Sequence, residues 1–383
     1  MGLSLTRADR KWIEQRARVA GFDLAGVAAV PEPSSAPASE DDRRYTEWIL
    51  AGYAGEMDYL KRTDDEGEYL RGDPRRSMPW ARSVIVCAVN YNAAAPRSID
   101  PADSKAGWIA RYAWSGQEQS GAASDYHDVL LHQLRALESE LKERFGAPGL
   151  MMRCYVDTGP VAERAYAASA GVGWIGKNTC VLNQQQGSWL LLGVIVTSLE
   201  LEPEAWSVPA ADRCGSCTRC IDACPTAALL DPNATGVRQM DATLCIAYLT
   251  IEKKGSIAEE LRPLMGRQVF GCDICQDVCP WNRPAPLNTS SLLPARQELT
   301  NPALQWLADM DGSAFNRVFR GSPLERTRRK RILRNVAIAM GNSGEREFLP
   351  QLEAWIAGDD AVLAEAAAWA ASRLREDSSG YRS

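Results

Sequence analysis

Four cysteines spaced Cys214-x2-Cys217-x2-Cys220-x3-Cys224, followed at once by Pro225, restrict what this chain can fold into more than any other feature. Thiolates two residues apart on a tight turn reach three corners of one iron–sulfur cubane. The fourth lies beyond that reach and ligates a neighbouring cluster. A second run reads Val269-x2-Cys272-x2-Cys275-x3-Cys279-Pro280, with valine where its first cysteine belongs. Two cubanes need eight thiolates, and the two runs supply seven. Cys245 is the other cysteine of the segment and supplies the eighth. The pattern therefore assigns Cys214, Cys217, Cys220 and Cys279 to one [4Fe–4S] cluster, and Cys224, Cys245, Cys272 and Cys275 to the other. Zinc competes for cysteine sets, but its sites use paired C-x2-C knuckles, which this spacing fits poorly. Cys87, Cys154 and Cys180 remain, in or beside apolar stretches, and read as buried free thiols. Two adjacent clusters form a wire, with an electron source at one end and a redox centre at the other.

The chain holds 383 residues, 45% of them hydrophobic, which is more than one core accommodates. Its longest apolar run, residues 189–196, is far too short to span a bilayer, and the charged N-terminus lacks a signal-type stretch. No membrane association is expected, and the location expected is cytoplasmic. Eleven cysteines in such a chain are reduced thiols rather than a disulfide framework. A formal net charge of -6 weighs weakly against nucleic acid, though local patches decide that question.

Three domains are expected. Residues 1–204 alternate helix and strand, as an α/β domain does. Helices are predicted at 5–20, 125–145 and from Pro160 to about 170. Strands are predicted at 22–29, 83–91, 151–156 and 188–197, and residues 31–39 read as a loop. Residues 205–285 are the ferredoxin-like segment, and 282–291, rich in Pro and Asn, read as a linker. Residues 292–383 read as all-helical. Amphipathic stretches at 328–340, 345–357 and 361–374 suggest a HEAT-like cap or a plain helical bundle.

Several motifs stand around the cysteines in fixed order. They are Gly52-Tyr-Ala-Gly-Glu-Met57, Asp125-Tyr-His127, Asp157-Thr-Gly-Pro-Val-Ala-Glu-Arg164 and Gly173-Trp-Ile-Gly-Lys-Asn178. Downstream come Cys245-Ile-Ala-Tyr-Leu-Thr-Ile-Glu252 and Gly271-Cys-Asp-Ile-Cys-Gln276. From about residue 45 to 285 the series resembles the epoxyqueuosine reductase family. Two departures are visible: extra residues at 115–124, and Ala247 in place of a serine. The resemblance implies a base-off cobalamin cofactor between the α/β domain and the clusters. It also implies reduction of epoxyqueuosine at the wobble position of tRNA to queuosine and water.

On sequence alone Asp157 reads as the N-cap of the helix opening at Pro160. The resemblance instead makes it the proton donor, which would need a dry pocket and a raised pKa. Arg164, seven residues on, is expected on the same helix face, over the corrin by resemblance. Lys177, Asp273 and Thr250 are the other expected cobalamin contacts. Lys177 alternatively reads as a solvated loop charge, and Asp273 as a turn cap. Tyr126 and His127 read as helix-start residues. Two histidines in the whole chain leave little scope for a protein imidazole on cobalt.

Residues 326–334, Arg-Thr-Arg-Arg-Lys-Arg-Ile-Leu-Arg, hold six cations and no acid. Without a family such a run reads as a solvated helix face. With a tRNA substrate implied, Arg326, Lys330 and Arg334 are expected on one face as phosphate contacts. The expected partners are thus a tRNA bearing epoxyqueuosine and an external electron donor, and the expected state is a monomer. The rival readings are a plain ferredoxin-type carrier, which needs no 200-residue α/β domain, and a reductive dehalogenase-like enzyme, which the basic tail disfavours.

Overall fold

The computed structural model describes residues 4–31, 36–117, 120–146, 148–232 and 238–376. Four strands, β1 (Leu24–Ala29), β2 (Ser83–Asn90), β3 (Met152–Tyr155) and β4 (Leu190–Thr197), form one sheet in the order β1-β2-β4-β3. Every pairing in it is antiparallel. Alternation of helix and strand along the sequence therefore does not translate into parallel crossovers, and the α/β expectation is corrected in that respect.

β2 is buried along its whole length, as its run of Val and Ile requires. Ile85, Cys87 and Val89 face one core with helices α1 (Arg7–Val19) and, further along the chain, residues 126–145. Val84, Val86 and Ala88 face the opposite core. α1 starts at Thr6, whose hydroxyl accepts from the Asp9 N–H while the Asp9 carboxylate accepts from the Thr6 N–H. Helix α2 (Ala36–Leu50) follows a segment of which 32–35 lie outside the described residues, so the loop predicted at 31–39 ends earlier than expected.

α3 (Tyr126–Phe145) is capped by Asp125 and buries Leu130, Leu134, Leu137 and Leu141. It approaches β4 so closely that a Cβ on Gly193 would meet Leu134 at 2.8 Å. α4 is short, Glu163–Ser169, and begins three residues later than Pro160 predicts. Beyond it, α5 (Ile246–Ile251) leads from Cys245, and α6 (Pro323–Ser343), α7 (Leu349–Ile356) and α8 (Ala361–Glu376) build the helical cap.

The cap is fused to its neighbour. One hydrophobic core runs from Met57 and Ile109 through Leu249 and Phe270 to Ala370, across the boundaries expected at 205 and 285. A short parallel pair, Trp108–Ile109 with Gln268–Phe270, bridges the same regions. The expected linker is fastened too: Asn90 and Asn92 donate to the carbonyls of Pro286 and Ala285.

The basic run is not a uniform helix face. Arg328 has φ 60° and ψ 151°, which breaks α6 and removes the common face of 326, 330 and 334. Arg334 is 1% exposed and donates to the carbonyls of Leu249, Lys253 and Gly255. Arg331 donates to Ile251 and Arg329 to Met310. The expectation that Arg334 contacts phosphate is corrected: it is a buried tie between cap and α5. Replacing it with Ala strands three carbonyls in the core, so the unfolding free energy should fall by roughly 3 kcal/mol in chemical denaturation of the cluster-loaded protein. A change under about 1 kcal/mol would contradict this placement.

Candidate active site

β2 leaves the sheet at Asn90, β4 enters it at Leu190, and β3 ends opposite Val194, so all three meet at one end of the sheet. The second cysteine run docks there. Gln276 donates to the Tyr91 hydroxyl, Asn282 bonds Ser188, and the Arg111 N–H donates to Asp273 at 2.7 Å. The Arg111 guanidinium lies 4.4 Å from the Trp189 ring, donates to Asn92 and Ala93, and stands 3.9 Å from Asp277.

Asp157 follows β3 at the same end. Its φ is 57°, an uncommon left-handed value for a non-glycine residue, and Arg71 holds its carbonyl at 2.6 Å. It caps no helix: α4 starts at Glu163, with Ala162 at its N-cap. Neither the capping role nor the shared face with Arg164 survives. The Asp157 carboxylate instead accepts a short hydrogen bond from the Tyr126 hydroxyl and stands 3.3 Å from His127 Nε2. His127 Nδ1 meets Asp125 at 2.6 Å. The start of α3 thus delivers a Tyr and a His to the end of β3. The sequence showed both as helix-start residues and gave no signal of this contact.

The Asp157 side chain is 52% exposed, yet burial is the largest influence on its acidity. Both hold if the carboxylate looks into a recess. Burial raises its pKa, but hydrogen bonds from His127 and Tyr126, with the charges of His127 and Arg164, outweigh it, and the net direction is down. The raised pKa expected for Asp157 is therefore corrected. Burial opposes the imidazolium of His127, whereas Asp125 and Asp157 favour it and prevail, so His127 is raised above its usual value. The imidazolium is thus favoured one contact from Asp157. Glu163, also missed in the sequence, is buried with one carboxylate oxygen lacking a partner. Burial, then the charge of Asp157, pushes it up to about 7.

Arg164 is exposed beside this recess and donates to the Thr179 carbonyl. Three other expected cofactor contacts are otherwise engaged. Lys177 is buried and donates to the Gly215 carbonyl at 2.8 Å, inside the first cysteine run. Thr250 is fully buried; its hydroxyl donates to Ile246 and accepts from the Gly271 N–H. Asp273 is buried and holds Arg111. Through these hydrogen bonds the three residues brace the cysteine loops. A roomier recess of about 720 Å³ beside Asp41, Tyr166 and Trp206 gathers none of the candidate residues.

The cysteines fall into two neighbourhoods. Burial, then the charges of Cys279, Cys214 and Cys217, push Cys220 up to about 11. Burial raises Cys272, and Cys245 and Cys224 are the neighbouring thiols that add to it. Cys275 is raised by a hydrogen bond with Cys180 and by burial, with Cys272 and Cys245 nearby. These two sets of four fit the chemistry of two cubanes. Cys87 is buried and Cys154 is half-buried against Glu138. Cys180 is a free thiol, as expected, and lies beside Cys275, each influencing the other's acidity.

An aromatic chain joins acid and cysteines. Tyr126 packs edge-to-face on Tyr112 at 5.9 Å, and Tyr112 lies 5.9 Å from Phe270, two residues before Cys272. A proton-charged acid pair set this close to two four-thiol sets defines an iron–sulfur oxidoreductase.

Comparison with known proteins identifies which kind. Residues 71–158 match the profile described as "Epoxyqueuosine reductase QueG, DUF1730", and residues 213–282 match "4Fe-4S double cluster binding domain". Epoxyqueuosine reductase of Xanthomonas campestris is 35% identical over 365 residues, covering 94% of each chain. That of Synechocystis is 38% identical over 313 residues, 81% of this chain and 98% of its own. A solved epoxyqueuosine reductase bound to an epoxyqueuosine-modified tRNA-Tyr stem loop superposes with TM-score 0.79 at 29% identity, covering 95% of this chain and 89% of its own. The chain belongs to the epoxyqueuosine reductase family.

The two thiol sets predict eight iron atoms per reconstituted chain, by iron analysis. Cys245→Ser should lower that number through loss of the second cluster, whereas Cys180→Ser should leave it at eight. Full occupancy in the Cys245 variant would disprove the eighth ligand.

Proposed function

We propose that this protein reduces epoxyqueuosine in tRNA to queuosine with cobalamin and two [4Fe–4S] clusters, fed by an external donor. The observation that carries this reading is the Asp157–Tyr126–His127 group, joined through Tyr112 and Phe270 to the cysteine loops. The protein works as a monomer in the cytoplasm. Among the described residues no helix is long and apolar enough to cross a membrane. Residues 1–204 carry the acid site, 205–285 the clusters and 292–383 a HEAT-like cap. Cys214, Cys217, Cys220 and Cys279 ligate one cluster; Cys224, Cys245, Cys272 and Cys275 ligate the other.

The donor set of the recess suits a corrin. His127 is engaged by Asp125 and Asp157, and His132 is exposed on α3, so neither imidazole is available as an axial ligand. Arg164 faces the opening and would contact the cofactor. When bound, cobalamin supplies low-valent cobalt as the reductant of the epoxide.

Opening an epoxide to an alkene consumes two electrons and two protons and releases water. The protein's residues manage the protons. His127, whose imidazolium its acid neighbours favour, passes one through Asp157, whose carboxylate Tyr126 orients. Glu163, pushed up to about 7, holds a second close by. The tRNA lies against exposed cations of the cap, among them Lys330, 82% exposed, with Arg317, Arg320 and Arg328. Arg326 is engaged with Asp125 instead.

Single-turnover reduction of an epoxyqueuosine-modified stem loop tests the reading. Asp157→Ala should keep eight irons and bind cobalamin, yet slow turnover by about 10²–10⁴-fold. A near-normal rate would remove Asp157 from the chemistry. His127 is raised above its ordinary value, so the rate should persist to higher pH than an ordinary histidine would allow. It should then fall as pH rises through the His127 pKa and the imidazolium is lost. A rate that climbs over that range would reverse the assigned proton direction.

A further inference from the structure

The helical cap reaches into the acid site through one residue. Arg326 Nη2 donates to Asp125 Oδ2 at 3.0 Å, and its Nη1 stands 3.2 Å from His127 Nε2. The same His127 nitrogen stands 3.3 Å from Asp157. One ring nitrogen therefore has two competing partners. Toward Arg326, a donor only, Nε2 must present its lone pair, so the ring is neutral. Toward the Asp157 carboxylate, an acceptor, Nε2 must carry a proton.

The backbone that aims Arg326 is strained and over-determined. Arg328, at φ 60° and ψ 151°, sits in a region that side chains beyond glycine rarely enter. The kink frees carbonyls on its N-terminal side. Arg331 gathers them, donating to Arg326 O at 2.9 Å and Thr327 O at 2.7 Å, while also holding Ile251 O at 2.8 Å on α5. A regular helix in this stretch would turn the Arg326 side chain elsewhere. Strain of this kind persists only where surrounding contacts enforce it, and it gathers at functional sites.

We propose that Arg326 is a positioning residue of the acid site. It docks the cap onto Asp125 and competes with Asp157 for His127 Nε2, so that the seating of the cap decides which partner the imidazole serves. This inference rests on the acid-site reading above and adds a second element to it. The groups facing His127 are Asp125 at its own helix start, the Tyr126 ring at 3.9 Å, Asp157 beyond β3 and Arg326 from the cap. Tyr112 lies behind Tyr126, and Arg71 and Arg164 lie around Asp157. Of the groups in direct contact with the ring, Arg326 alone is a cation. It disfavours the imidazolium directly, and it also offsets the Asp125 charge that favours it. Both effects have the same sign, so removing Arg326 makes His127 more basic.

The chain contains two histidines, His127 and His132, so their titration is separable by NMR of histidine-labelled, cluster-loaded enzyme, with His132→Gln fixing the assignment. Arg326→Gln should raise the His127 midpoint by on the order of one pH unit. Arg326→Lys, which keeps the charge but not the two-pronged geometry, should move it less. Iron content and thermal midpoint of both variants report folding. The alkaline limb of the single-turnover profile should move up with the midpoint. Salt dependence of stem-loop binding should not change. An unmoved or lowered His127 midpoint in folded Arg326→Gln overturns the proposal. So does a salt slope smaller by about 0.7–0.9 with the midpoint unchanged, which would make Arg326 a phosphate contact. The His127 titration is read without tRNA or cobalamin. A moved midpoint in an enzyme inactive on the stem loop would therefore sustain this inference while refuting the proposed substrate.

Discussion

One buried arginine holds the two halves of this protein in register. Arg111 is 6% exposed, stacks on Trp189 where β4 begins, and ties its guanidinium to Asn92 and Ala93 where β2 ends. Its backbone N–H caps Asp273, and Asp277 stands within salt-bridge range. A charge taken out of water is costly unless it is paired and hydrogen-bonded. Asn92, the Ala93 carbonyl, the Trp189 ring and Asp277 supply part of that compensation, while Asp273 holds the Arg111 backbone; both aspartates belong to the loop that carries Cys272, Cys275 and Cys279. The cysteine loop therefore cannot slide along the sheet end without stranding charge. Because Asp157 leaves the same sheet end, this registry also sets the distance between proton and electron machinery.

The basic run of the tail shows how charge density misleads when exposure is unknown. Six cations in nine residues carry the same sequence signature whether they meet phosphate or carbonyls. Here the freed carbonyls of a kinked helix, together with those at the end of α5, absorb Arg331 and Arg334, and the Met310 carbonyl takes Arg329. A guanidinium presents five donors in a planar fork, which suits a cluster of carbonyls converging from two elements. Lys330, a point charge on a flexible stem, stays in solvent, as an arginine in the same place would not have to.

What was legible in the sequence follows from how local each signal is. The leucine stripe of α3 and the apolar run of β2 are local, and the structure bears out the elements they predict; the cysteine spacing is local too, and the double-cluster family match agrees with it. The antiparallel order of the sheet was not legible, because pairing is decided by contacts far apart in sequence. Nor was the acid group. Asp157 lies 30 residues beyond His127 in the sequence, and it and the Asp125-Tyr126-His127 run each taken singly read as cap or packing residues. Asp157 misled through Pro160, which predicts a helix start that the chain delays to Glu163. The left-handed backbone at Asp157 made the difference: it turns the carboxylate toward α3 rather than back onto the N–H groups of α4.

The aromatic layer between acid and cysteines also separates two chemistries that must not mix. A strongly reducing centre beside a mobile proton wastes electrons on the proton. Tyr112 and Tyr91 are half-buried, and desolvation raises the pKa of both hydroxyls well above its ordinary value, which makes them weaker acids. Tyr112 packs on Phe270, two residues before Cys272, and Tyr91 packs on Trp189. Tyr126 stands at the edge of the layer, its ring in it and its hydroxyl on Asp157. In the function proposed above, protons would come from the α3 side, through His127 and Asp157, and electrons from the cysteine side. Separate sources on either side of the Tyr126–Tyr112 pair suit a two-electron, two-proton reduction.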